Sequence, residues 1–160
     1  FPIGIRALLN RPDVLITKVQ ASGPVKQSFA QGRLWFLEQL HPGLSWYIMP
    51  CATRLRGSLN LHALHKAVCA LEGRHEALRT VFYSENGVNK QRVRPFREAT
   101  QRVVIIPPNS NDGVLIKALY DKQTTPFNLT EEPGWRVCVY VLGEEEHILS
   151  ITMHRIVSDG

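Results

Sequence analysis

Cysteine is scarce in this chain: Cys51, Cys69 and Cys138 are an odd number with no C-x-x-C spacing, which argues against both a disulfide scaffold and a zinc ribbon. The histidines are scattered as well. His41 belongs to a turn, His62 and His65 to solvated positions of a helix, and none of these spacings makes a metal site. No stretch approaches the ~18 apolar residues of a membrane helix, and no basic, apolar, small-residue leader opens the chain. The expectation is a soluble, cytoplasmic protein with no membrane partner. Internal repeats and low-complexity segments are missing too, which excludes solenoids and arrays.

What is present describes a globular domain. Hydrophobic residues make up 44% of the 160 and charged residues 21%, and the length suits one domain. A formal charge of +5 permits an acidic partner without demanding one. Periodicity predicts helices over 27–40, 59–78 and 112–123. Ser28 is a candidate cap for the first, Gly57-Ser58 precedes the second, and the third has Val114, Ile116, Leu119 and Tyr120 apolar. Strands are predicted over 46–55, 103–106, 135–142 and 147–154, with a hairpin of 80–84 and 88–93 around Glu85-Asn86-Gly87. Residues 1–24 read as an interdomain linker and 126–133 as a loop. The fold class is α/β (α+β), a two-layer sandwich with helices on a mostly antiparallel sheet. Because Ser158-Asp159-Gly160 follows directly on an apolar stretch, a fragment of a longer polypeptide is expected.

Four stretches say more. Ser28-Phe29-Ala30-Gln31-Gly32-Arg33-Leu34-Trp35-Phe36-Leu37 resembles the first core motif of condensation domains from non-ribosomal peptide synthetases. Arg74-His75-Glu76-Ala77-Leu78-Arg79-Thr80-Val81-Phe82 resembles the second, and Met153-His154-Arg155-Ile156-Val157-Ser158-Asp159-Gly160 the third, the H-H-x-x-x-D-G motif. Pro126-Phe127-Asn128-Leu129 through Trp135-Arg136 is similar to the family's P-F-D-L segment. The order and spacing agree across residues 25–160. The resemblance implies that this region is the N-terminal lobe of a two-lobed, chloramphenicol acetyltransferase-like domain, with residues 1–24 a linker or the tail of an upstream carrier domain. The implied function is peptide-bond formation between a carrier-bound donor thioester and an acceptor amine. The implied partners are the missing C-terminal lobe, the upstream and downstream peptidyl carrier domains, and the adenylation domain. No cofactor is implied for the lobe itself, since the substrates ride on the phosphopantetheine of the carriers.

Such a reaction needs two reactants held together, a route for the amine's proton and stabilisation of a tetrahedral oxyanion. The family places the base on the second histidine of its motif. Here His154 holds the first position and Arg155 the second, and a guanidinium, which stays protonated at working pH, cannot accept a proton. Alternation along a strand would send the two side chains to opposite faces. Two readings stay open: an active variant in which Arg155 positions a carbonyl or donates to the oxyanion, and a degenerate lobe serving as an interdomain interaction module. The resemblance implies that Asp159 pairs with Arg74 or Arg79 rather than acting as an acid. It also implies that Gly160 lets the backbone pass close to the substrate amine. His75 is expected to be partly buried and bonded to backbone, and Trp35 and Phe36 to lie in the core. Lys90, Arg92, Arg94, Arg97 and Arg102, without interleaved aromatics, read as a charged edge strand before a carrier dock, and no nucleic-acid partner is expected.

Overall fold

The computed structural model describes residues 23–97, 102–107 and 110–158. The expected linker therefore lies almost wholly outside the described residues, as do Asp159 and Gly160.

The chain begins with a short strand β1 (Val25–Lys26) and helix α1 (Phe29–Leu40). Ser28 and Gln31 close a capping box: Ser28 Oγ accepts from the Gln31 N–H at 3.2 Å, and Gln31 Oε1 accepts from the Ser28 N–H at 2.9 Å. Strand β2 (Ile48–Arg56) leads to helix α2 (Leu61–Arg74). Its cap is Asn60, whose Oδ1 accepts from the Ala63 N–H at 2.9 Å; Gly57, at φ +100, makes the preceding turn. The helix stops at Arg74, short of the expected 78, and the chain tightens into a 3₁₀ turn, Glu76–Arg79. Arg79 explains the stop. Its Nε and Nη2 donate to the carbonyls of Glu72 and Gly73 at 2.9 and 3.4 Å, satisfying acceptors that a helix terminus leaves open.

Strands β3 (Thr80–Glu85) and β4 (Val88–Val93) form the expected hairpin, with Asn86 and Gly87 at φ 52 and 74, as a tight turn matched to strand twist requires. β5 (Arg102–Ile105), helix α3 (Asp112–Gln123), β6 (Trp135–Gly143) and β7 (Glu146–His154) complete the fold. The strands divide into two sheets, ordered β1-β4-β3 and β2-β7-β6-β5. Pairing is antiparallel except between β5 and β6. β4 is the centre of its sheet and not an edge, so edge protection does not account for its basic residues.

Along β6, Cys138 and Tyr140 face α3, packing with Ile106, Leu115 and Ile148, and the Tyr140 hydroxyl donates to the Ala118 carbonyl at 3.2 Å. α3 therefore buries Leu115, while Val114, Ile116 and Tyr120, three of the apolar residues named for this helix, are exposed. A second cluster of Trp35, Phe82, Phe127, Leu129 and Ile156 ties α1, β3, the 126–133 loop and the turn after β7 together. Ile156 brings the third motif into this cluster.

Candidate active site

β7 ends at His154, and residues 155–157 form a turn. Three main-chain bonds hold it: the His154 N–H donates to Gly134 O at 2.7 Å, the Arg155 N–H to Tyr47 O at 2.9 Å, and the Val157 N–H to His154 O at 3.1 Å. Arg155 is exposed and His154 is 1% exposed. The expected divergence of the two side chains is found, but its cause differs: Arg155 lies past the strand end, so the turn, not pleat alternation, directs it.

The His154 ring is fully engaged. Nδ1 accepts from the Ile156 N–H at 3.1 Å, and Nε2 lies 3.0 Å from Glu38 Oε1. Phe127 meets the ring edge-on at 6.2 Å, and Tyr47 lies tilted at the same distance. Burial pushes the imidazole below its ordinary 6.5, against the opposing hydrogen bond and charge of Glu38. With both nitrogens occupied inside the core, His154 has no position from which to take a substrate proton. Arg155 offers five N–H donors and a fixed charge to the solvent side, and no acceptor.

The P-F-N-L segment braces this arrangement. The Arg136 guanidinium stacks 3.9 Å over the Phe127 ring, bonds Glu132 through Nη2 at 2.7 Å, and donates to the carbonyls of Thr125 and Pro126 at 2.6 and 2.7 Å. Phe82 N–H in turn donates to Leu129 O at 2.8 Å, so the loop is locked to β3. Beside it a cleft of about 320 Å³ opens between Trp35, Glu38 and Pro42 of the α1 end and Phe127, Leu129 and Thr130 of the loop.

Other expectations divide. Trp35 is buried, its indole N–H donating to Ser84 Oγ at 2.9 Å, whereas Phe36 is 61% exposed. His75 caps the end of α2 and is exposed, not partly buried. Arg79 adds an Nη1 bond to Arg94 O at 2.7 Å, tying α2 to the end of β4, while Arg74 is exposed; their pairing with Asp159 lies outside the described residues. Of the basic stretch, Lys90 pairs with Glu85, Arg94 donates to Glu131 O at 2.6 Å, and Arg92 and Arg97 are exposed. No cluster of three or more His, Cys, Asp or Glu side chains suited to a metal occurs among the described residues.

Two residues were missed by sequence reasoning. Glu38 stands three and four residues after Trp35 and Leu34 on the inward face of α1, where a carboxylate needs a buried partner; that spacing is the available signal. Gly134 has none in the sequence. A Cβ there would stand 3.1 Å from the His154 Cβ and 3.2 Å from Val157 Cγ2, so a side chain at this position would force the neighbouring segment to give way by a few tenths of an ångström.

The sequence profile of the family described as Condensation domain matches residues 22–160. The nonribosomal peptide synthetase dtxS1 of Metarhizium robertsii is 58% identical over 145 residues, covering 91% of this chain and 2% of the relative. The X-domain from teicoplanin biosynthesis, solved in complex with OxyB, is 29% identical with a TM-score of 0.76 and covers 86% of this chain and 29% of that one. The starter condensation domain of rhizomide synthetase RzmA, at 20% identity, has the same fold, with a TM-score of 0.77 over 87% of this chain and 35% of its own. The chain thus spans only a small part of the curated relatives it matches, about 2% for dtxS1.

Proposed function

This chain belongs to the condensation-domain family, and we propose that it works as the N-terminal lobe of a synthetase domain that joins a carrier-bound donor acyl group to an acceptor amine. The acceptor nitrogen attacks the thioester carbonyl, a C–N bond forms, and the carbonyl π electrons move onto oxygen. The tetrahedral oxyanion collapses, the C–S bond breaks, and the donor thiolate leaves. The amine's proton passes to that thiolate or to solvent, and the lengthened chain remains on the acceptor carrier. Arg155 is the residue placed to stabilise the oxyanion, because it combines a permanent positive charge with N–H donors on an anchored turn. Neither His154 nor Arg155 serves as base in this reading. The observation that carries this reading is the pair of opposite fates at adjacent positions: a buried, fully bonded His154 and an exposed Arg155.

In this proposal the substrates arrive on phosphopantetheine arms of upstream and downstream carriers, an adenylation domain loads them, a C-terminal lobe closes the site, and the assembly is cytoplasmic. Rapid-quench measurement of amide formation between two loaded carriers, with Arg155→Ala beside the unaltered domain, is the test. Loss of the product with alanine supports the assignment, and an unchanged rate removes Arg155 from the chemistry.

A second reading is an interaction module that holds neighbouring proteins and makes no bond. The replacement of the motif's second histidine by Arg155 favours it, as does the teicoplanin X-domain, a neighbour of the same fold solved bound to OxyB. Absence of amide product from the unaltered, complete domain would select this reading.

A further inference from the structure

Resting on the condensation reading above, we infer that Glu38 is a positioning residue that acts through His154 to hold the turn presenting Arg155. The argument starts from the ring's bonding. Nδ1 accepts the Ile156 N–H at 3.1 Å, so that nitrogen carries no proton. The neutral ring therefore carries its proton on Nε2, aimed at Glu38 Oε1 3.0 Å away. Glu38 is what selects this tautomer: a carboxylate accepts from N–H and has nothing to donate. The opposite tautomer would set the Nδ1 proton against the Ile156 N–H and turn a bare Nε2 toward a carboxylate. Water offers no substitute, because the ring is 1% exposed and closed in by Phe127 and Tyr47.

The consequence reaches Arg155 through one residue. Ile156 is buried at 4% exposure and belongs to the cluster with Trp35 and Phe127, so its N–H bond to the ring anchors the far side of the turn while His154 itself anchors the near side. Arg155 stands between the two anchors. The Glu38–His154 contact joins residues 116 apart in the chain, so α1 sets the position of a turn that otherwise belongs to β7.

The experiment uses the intact protein that carries this lobe and follows two readouts. The first is trypsin cleavage after Arg155, quantified by mass spectrometry. Glu38→Met should raise it about tenfold, as expected when one buried donor loses its acceptor and the turn opens locally. Glu38→Gln, which keeps an acceptor oxygen at the same place, should stay close to the unaltered protein. In a His154→Asn background, where Asn Oδ1 takes over the Ile156 N–H, Glu38→Met should add nothing. The second readout, single-turnover amide formation, should fall in parallel with adenylation and carrier loading unchanged. Unchanged cleavage in Glu38→Met, or an equal rise in both backgrounds, overturns the inference. So does an equal rise after Arg79 and Arg136, since the opening would then be global. Amide formation absent from the unaltered protein overturns the functional reading alone, because cleavage after Arg155 still reports on the turn.

Discussion

In the proposed reaction, the Arg155 guanidinium has only N–H donors to offer a developing oxyanion, and no acceptor for a proton. Removing an oxyanion donor typically costs about 10²–10³ in rate, and Arg155→Ala in the complete domain is expected to lose at least the lower figure. Arg155→His should introduce a new limb in the rate profile near the ordinary imidazole range; a flat profile in that variant would show that no base is needed at this position. His154 makes a separate prediction about stability. Its folded pKa lies below 6.5 through burial, so the unfolded chain binds the proton more readily. The stabilising effect is full above the ordinary value and is lost as pH falls through the folded value, at a limiting slope of about 1.4 kcal/mol per pH unit. Glu38 and Tyr47 are the titratable side chains beside it. Melting temperature followed from pH 8 to 5 should fall less in His154→Asn than in the unaltered domain. The His154-Arg155 pair was legible as a motif, and its chemistry followed from side-chain type alone. Glu38 was not, because its role depends on a partner 116 residues away.

At the scale of elements, local chemistry predicted where it acts locally. Ser28 caps α1, and Asn86-Gly87 turns the β3–β4 hairpin, because a side-chain oxygen and a positive φ are properties of adjacent residues. The end of α2 depends instead on Arg79 reaching back to Glu72 and Gly73, and the inward face of α3 on which side of the helix meets Tyr140. Periodicity cannot choose between Leu115 and Ile116 when both neighbours are apolar. Gly134 belongs here too. Its contact with His154 and Val157 joins the start of β6 to the end of β7, and Gly134→Ala should destabilise the complete domain by about 1–3 kcal/mol, the usual cost of overpacking. Denaturant midpoints measure it; an unchanged midpoint would mean that the turn can yield without loss.

At the scale of the whole molecule, the proposed reaction needs two tethered reactants in contact, and in that proposal this chain supplies one of two lobes. The purified 160-residue chain, given two loaded carriers, is expected to form no amide. Product above the carrier-only background would overturn that expectation. The motifs, the element types and the family were readable from residue order, since each rests on neighbouring side chains or on spacing along one segment. The division of strands into two sheets, the central place of β4, the burial of His154 against Glu38, and the glycine contact at Gly134 were not. Each of these joins segments far apart in the chain, and such meetings are settled by which apolar faces pack together and which buried polar atoms then find partners.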